Sequence, residues 1–337
     1  LARRLVAVGD RVYVTLGYGK PVSILDAATG ATIRECEKTD NAMEFVVDNG
    51  AVFAVVGDRA LSAMEDTGRM SVDEGKEFIE TWRPEAHWRV WREKAPLKHL
   101  VANDVETGVL LWKKDDADTR EIMPTAMAVS DRRVFIQNEK AIVARGAVTG
   151  KEIWRSKRPI NLHSPGSSSP TLVAVNGVVI CADREVRSIE RERDRRGRSV
   201  DWYVYPHTDH SRKGQTIAYD AATGERLWSA DSVENFKAPA DVFVLGDTAY
   251  VRGYDPGLGA GINLRTGKVK KPLTRKSPIP DPGSHWRCYR NKATEKYLIL
   301  CRRWTEFYDL ETRVQTSVNF VRGSCQYGQM PCNGLLY

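Results

Sequence analysis

The sequence predicts an all-β fold of repeated four-stranded antiparallel sheets, on three observations. A strand–turn–strand pattern recurs six times along 337 residues, a second apolar hairpin precedes it, and the spacing of the copies is that of one four-stranded unit. Each of these has a physical basis in the residues themselves.

The recurrent pattern reads SILDAATGATIRE at 23–35, VANDVETGVLLWK at 101–113, VARGAVTGKEIWR at 143–155, IAYDAATGERLWS at 217–229 and AGINLRTGKVKKP at 260–272, with a degenerate sixth copy, EFYDLETRVQTSV, at 306–318. Asp26, Asp104 and Asp220 are placed to accept hydrogen bonds from their own downstream backbone as Asx turns. Gly30, Gly108, Gly150, Gly224 and Gly267 supply the left-handed residue that closes the turn. Upstream hairpins such as LVAVGDRVYVTLG (5–17), MEFVVDNGAVFAVVG (43–57), AMAVSDRRVFIQ (126–137), TLVAVNGVVICA (171–182) and VFVLGDTAYVRG (242–253) carry Gly-Asp, Asn-Gly or Ser-Asp at their centres. Hairpin plus turn makes four strands.

The turn glycines are separated by 78, 42, 74 and 43 residues, so a unit of about forty residues, the spacing of a propeller blade, is interrupted twice. Arranging such sheets radially buries both faces of each and leaves only short edges, which defines a β-propeller. Six blades are visible, and GSCQYGQMPCNGLLY reads as the first half of another. Seven or eight blades are expected in the complete ring. Residues 1–337 form a single propeller domain, expected to be part of a longer chain.

The two interruptions fall at 64–98 and 183–215. In the first, Phe78 and Trp82, and then Trp88 and Trp91, are spaced for short helices on either side of Pro84. In the second, a run of arginines from Arg184 to Arg198 is interleaved with acids from Asp183 to Asp194, which reads as a solvated charged loop. His207 and His210 there lack a third well-spaced ligand, so no metal site is expected.

Trp112, Trp154 and Trp228 each follow the turn glycine by four residues. This resembles the AxDxxTGxxxW motif of the pyrroloquinoline-quinone-like propellers, in which the tryptophan wedges between neighbouring blades. The first, fifth and sixth copies carry Arg34, Lys271 and Ser317 instead, so those joints are expected to pack differently. The late runs HWRCYRNKATEKYLIL and RGSCQYGQMPCNGLLY are also similar to propellers of planctomycete-type bacteria, which carry eight blades. The resemblance implies work in the bacterial periplasm or cell envelope. It also raises pyrroloquinoline quinone with calcium as a cofactor, but the adjacent cysteines that would stack on the quinone are missing, so the repeat does not by itself imply it.

The hydrophobic fraction, 42%, is enough for a substantial core. A formal charge of +7 is modest for this length and indicates no specific nucleic-acid partner. No apolar run is long enough for a transmembrane helix. Of six cysteines, Cys36, Cys181 and Cys301 fall in or beside apolar strands and read as small buried hydrophobes, leaving Cys288, Cys325 and Cys332 as disulfide candidates.

In a propeller the first strand of each blade lines the central channel, so ligand-contacting residues are sought there. In the sixth blade, SHWRCYRNK alternates to place His285, Arg287 and Tyr289 on one face and Trp286, Cys288 and Arg290 on the other. The first three form a candidate acid/base and anion-binding set. Lys292, Tyr327, His163 and Glu44, near the starts of first strands, are candidate ligand-binding residues. Polar residues also line any water-filled channel for no reason beyond solvation. Two kinds of function follow: a non-catalytic binding or scaffolding propeller of the cell envelope, engaging a protein or peptide, or an enzyme acting on an anionic glycan by lyase-type proton abstraction. A quinone-dependent oxidoreductase is a third reading.

Overall fold

The structure, a computed structural model, describes residues 5–59, 96–123, 126–138, 140–158, 171–184, 213–233, 241–251, 259–273, 290–300, 305–318, 320–321, 329, 331–332 and 335–336. The chain falls into two compact units, one formed mainly by Ala2–Pro159 and the other by Ile160–Glu190 with Tyr205–Tyr337.

The first unit holds three four-stranded antiparallel sheets. Sheet 1 comprises β1 (Leu5–Val8), β2 (Arg11–Thr15), β3 (Val22–Asp26) and β4 (Thr32–Glu35). Sheet 2 comprises β5 (Ala42–Asp48), β6 (Ala51–Gly57), β7 (Lys98–Asp104) and β8 (Leu110–Lys114). Sheet 3 comprises β9 (Met127–Ser130), β10 (Arg133–Gln137), β11 (Ala141–Gly146) and β12 (Glu152–Lys157). A one-turn helix, α1 (Ala117–Arg120), leads into sheet 3, capped by Asp116, whose carboxylate accepts from the Thr119 amide at 3.0 Å.

The second unit repeats the plan. Sheet 4 is β13 (Thr171–Val175), β14 (Val178–Arg184), β15 (Lys213–Asp220) and β16 (Arg226–Val233); sheet 5 is β17 (Val242–Leu245), β18 (Thr248–Val251), β19 (Ala260–Asn263) and β20 (Val269–Pro272). Sheet 6 is β21 (Lys292–Ala293), β22 (Tyr297–Leu300), β23 (Thr305–Asp309) and β24 (Gln315–Val318), followed by a two-stranded sheet of β25 (Pro331–Cys332) and β26 (Leu335–Leu336). The fold class is thus the all-β propeller of four-stranded antiparallel blades that the repeats predict.

Local chemistry sets each register. Two residues separate the first two strands in sheets 1 to 5, as in the pairings Asp48↔Ala51 and Val175↔Val178. Asn49-Gly50 and Asn176-Gly177 have positive φ at both positions, the type I′ geometry whose twist matches that of the strands. In the 3–4 turns Asp26, Asp104, Asp220, Asn263 and Asp309 each accept two downstream amides. In the degenerate sixth copy Arg313 takes the glycine's place, at φ +62.

The core lies between sheets. Phe53, Val55, Leu100, Ile122, Met127 and Ile136 join sheet 2 to sheet 3, and Ile24, Phe45, Val52 and Val101 join sheet 1 to sheet 2. Ile180, Ala218, Trp228 and Ile262 do the same for sheets 4 and 5. Cys36 and Cys181 are buried, and burial pushes the Cys36 thiol up to about 12.

One residue of each turn organises the joints. The residue after the first position of every 3–4 turn donates its N–H to its own 1–2 hairpin, as in Ala147 to Arg132 O and Leu264 to Asp247 O. In the second, third, fifth and sixth turns its carbonyl accepts from a side chain of the preceding blade. Trp112 Nε1 donates to Ala147 O at 2.7 Å and Trp228 Nε1 to Leu264 O at 2.8 Å. A Cβ on Gly150 would lie 2.9 Å from the Trp112 ring, and one on Gly267 would lie 2.6 Å from Trp228, so only glycine admits the indole. Where tryptophan is replaced the carbonyl is still used: Lys271 Nζ donates to Leu310 O, and Arg11 Nη1 to Val105 O at 3.3 Å. Trp154 is 8% exposed, with its ring 5.8 Å from that of Phe135.

Candidate functional site

Antiparallel order places the 1–2 hairpins and 3–4 turns at one end of every sheet. At the other end lie the first-strand starts and the 2–3 connections, and both long connections, between Gly57 and Lys98 and between Arg184 and Lys213, leave from that end. Pairing in sheet 4 extends to Arg184↔Gly214, so the second connection emerges from a fully laddered hairpin. The end opposite the tight turns is therefore where chain has been added, and where recognition surfaces on a rigid scaffold concentrate.

In the second unit this end carries a polar cluster spanning three blades. Asp241, just before β17, is 8% exposed at its side chain and accepts from the Asn291 amide at 3.0 Å and from Asn291 Nδ2 at 2.8 Å. Arg290, just before β21, lies 3.6 Å from the other Asp241 oxygen and donates to Thr171 Oγ1 at the start of β13. A side chain of sheet 6 can touch sheet 4, with sheet 5 between, only where the first strands converge. Arg290 keeps 26% of its side chain exposed, so the cluster presents a guanidinium to solvent over a buried carboxylate.

Lys292 opens β21, pairs with Ile299 and is half-buried. In the first unit Glu44 sits in β5 opposite Val55, just after a register shift, and is 1% exposed, closed off from solvent. His99 in β7 lies at the same end; burial holds its pKa below the usual imidazole value, and Lys113 pushes the same way. His285, Arg287, Tyr289, His163 and Tyr327 lie outside the described residues, as does most of 64–98 and 183–215. Arg290, on the opposite phase of the alternation from Tyr289, is the residue of that run that joins the three blades. Asp241, Asn291 and Thr171 were not singled out from the sequence. Their signal is a polar residue immediately before, or opening, each first strand.

Among the described residues no three His, Cys, Asp or Glu side chains group as metal ligands. Nor is any helix among them long and apolar enough to cross a membrane.

Comparison with known proteins adds the family. The profile of the family described as outer membrane protein assembly factor BamB matches residues 97–271, and again 201–299. The quinohemoprotein alcohol dehydrogenase ADH IIB of Pseudomonas putida is 25% identical over 187 residues, which cover 56% of this chain and 22% of that protein. The chain thus spans about a fifth of the length of this curated relative. Among solved structures, BamB from Moraxella catarrhalis is similar with a TM-score of 0.44 and 14% identity, covering 88% of this chain and 66% of that one. The quinohemoprotein alcohol dehydrogenase ADHIIG from Pseudomonas putida HK5 has a TM-score of 0.45 and 14% identity, covering 91% of this chain and 52% of that one. With over half its length matched by one profile, the chain belongs to the family described as outer membrane protein assembly factor BamB, a family of pyrroloquinoline-quinone-like repeat propellers.

Proposed function

We propose that this chain is a non-catalytic binding propeller of the bacterial cell envelope, periplasmic in location, that offers the connection end of its blades to a protein or peptide partner. The observation that carries this reading is the Arg290–Asp241–Asn291–Thr171 cluster, whose charged groups are bonded to one another across three blades. A fixed, bonded surface suits recognition by a rigid scaffold. Membership of a family described as an assembly factor supports a protein partner over a small substrate.

The relationship to quinohemoprotein dehydrogenases raises the quinone reading. No two of the six cysteines are adjacent in the sequence, so the pair that would stack on the quinone is missing. The lyase reading depends on His285, Arg287 and Tyr289 as catalytic groups, with an anionic glycan as substrate, and Ala variants of His285 and Tyr289 address it directly.

Photo-crosslinkers at Lys98 and Lys292, on the connection end, and at Asp10 and Asp247, on the turn end, test the proposal in envelope extracts. Protein adducts are expected from the first pair at several times the yield of the second. Equal yields from both ends, or turnover of an alcohol or anionic glycan by the purified chain, would contradict it.

A further inference from the structure

Sheets 2 and 4 turn on the same dipeptide. Asn49-Gly50 and Asn176-Gly177 each join the first two strands in a type I′ turn, with φ of +44 and +78 in one and +49 and +72 in the other. Asn-Gly is also the pair in which a side-chain amide is most open to attack by the following backbone nitrogen, because glycine has no Cβ to shield it. Surroundings separate the two copies. Asn176 Nδ2 donates to Gly246 O, in the hairpin of sheet 5, at 3.2 Å, and Arg265 Nη1 stands 3.9 Å from where a Gly177 Cβ would lie. Asn49 is exposed, no described group bonds its carboxamide, and no described atom lies within 4 Å of where a Gly50 Cβ would stand.

Gly50 is tied to a joint as well. Its carbonyl accepts from the Val105 N–H at 3.0 Å, and Val105 O accepts from Arg11 Nη1 of sheet 1 at 3.3 Å. Arg11 also pairs with the adjoining Glu106 through two bonds of 2.8 Å. Val105 is 7% exposed, in the core between sheets 1 and 2. An exposed turn thus holds, through one buried residue, a contact between the first two blades.

We propose that Asn49 is a deamidation site, and that its conversion to isoaspartate loosens the joint between sheets 1 and 2. The Gly50 nitrogen gives its proton to solvent base and attacks Asn49 Cγ. An N–Cγ bond forms, the Cγ–Nδ2 bond breaks, Nδ2 leaves as ammonia, and a cyclic imide spans the two residues. Water then opens the ring, giving aspartate by attack at the side-chain carbonyl carbon and isoaspartate by attack at the main-chain one. Ring closure rotates the Asn49-Gly50 peptide out of its type I′ arrangement, so the rate follows local opening of the turn. Opening the Asn176 turn also breaks the bond to Gly246 O, which makes that site the slower. Isoaspartate routes the main chain through the side-chain carbon and lengthens a two-residue loop by one methylene. The loop then no longer fits the twist of its strands, and the Gly50 carbonyl is drawn off Val105.

The test incubates the full chain in mildly alkaline buffer, native and in urea, and follows isoaspartate at both positions by peptide mapping with mass spectrometry. In the native chain Asn49 is expected to convert at least about threefold faster than Asn176, the factor one hydrogen bond of ordinary strength supplies. In urea the two rates should converge. Hydrogen exchange then compares the converted chain, separated by ion exchange, with fresh Asn49→Asp, which carries the new charge on an unlengthened backbone. Exchange of the Val105 amide should quicken about tenfold or more on conversion and stay near the parent value in Asn49→Asp. Equal native rates, a faster Asn176, or no native conversion of Asn49 while the urea sample converts would overturn the proposal. So would Val105 protection that isoaspartate leaves unchanged, or that Asn49→Asp lowers equally.

Discussion

The joint between sheets 4 and 5 and the joint between sheets 5 and 6 use the same acceptor in different ways. At the first, Trp228 buries an indole against Gly267 and donates to Leu264 O; at the second, Lys271 donates to Leu310 O with no ring behind it. Direction is conserved and apolar burial is not. The repeat therefore consists of a fixed polar address, the carbonyl after the turn's first residue, to which different side chains deliver different amounts of packing.

If burial dominates, Trp228→Ala and Trp112→Ala should each cost about 3–5 kcal/mol in urea unfolding, the range for deleting a buried aromatic. Lys271→Ala should cost less, about 1.5–3 kcal/mol, the range for a hydrogen bond to a charged group. Equal losses at the two joints would mean that the hydrogen bond, not the ring, holds the blades together.

A smaller contrast separates Arg313 from the turn glycines. Its φ of +62 costs an L side chain about 1–2 kcal/mol, so Arg313→Gly should stabilise the chain by about 1 kcal/mol, read as a rise in thermal midpoint. Gly30→Ala should cost only that strain, because no described atom stands in the way.

The smallest expected effect is acid sensitivity. Asp26 and Asp104 are held below the ordinary carboxylate range first by the hydroxyls of Thr29 and Thr107, Asp220 first by Arg265, and Asp309 first by the Thr312 amide. A lowered folded-state pKa favours the ionised form in the folded chain. The stabilisation is therefore complete above about pH 4 and drains away as pH falls through the lowered values. Asn263 makes the same turn bonds uncharged, so Asp104→Asn should keep the turn and flatten the acid limb of a stability–pH curve.

The blades were legible because their signals are local. Asn49-Gly50 dictates its hairpin through backbone sterics, and Asp104 with Thr107 and Gly108 dictates the next turn, without reference to the rest of the chain. Tryptophan spacing likewise pointed to Trp112 and Trp228. What a residue does when it replaces tryptophan was not legible. Nothing local shows that Lys271 reaches the carbonyl an indole takes elsewhere, or that Arg11, two strands away from Arg34, takes over at the first joint and pairs both Nη atoms with Glu106 at 2.8 Å. The connection-end cluster was hidden for the same reason. Asp241 and Arg290 are separated by a whole blade in sequence, and only the convergence of first strands brings them together.

The central claim, that the indole and the turn glycine act as one docking unit, is tested most directly by a double-mutant cycle of Trp112→Ala and Gly150→Ala. In the parent, a Cβ at Gly150 would lie 2.9 Å from the Trp112 ring; with the indole gone that collision is relieved and only the flexible end of Lys114 has to move. The double variant should be more stable than the sum of the singles predicts, by about 1 kcal/mol or more, whereas additivity within about 0.5 kcal/mol would contradict the account.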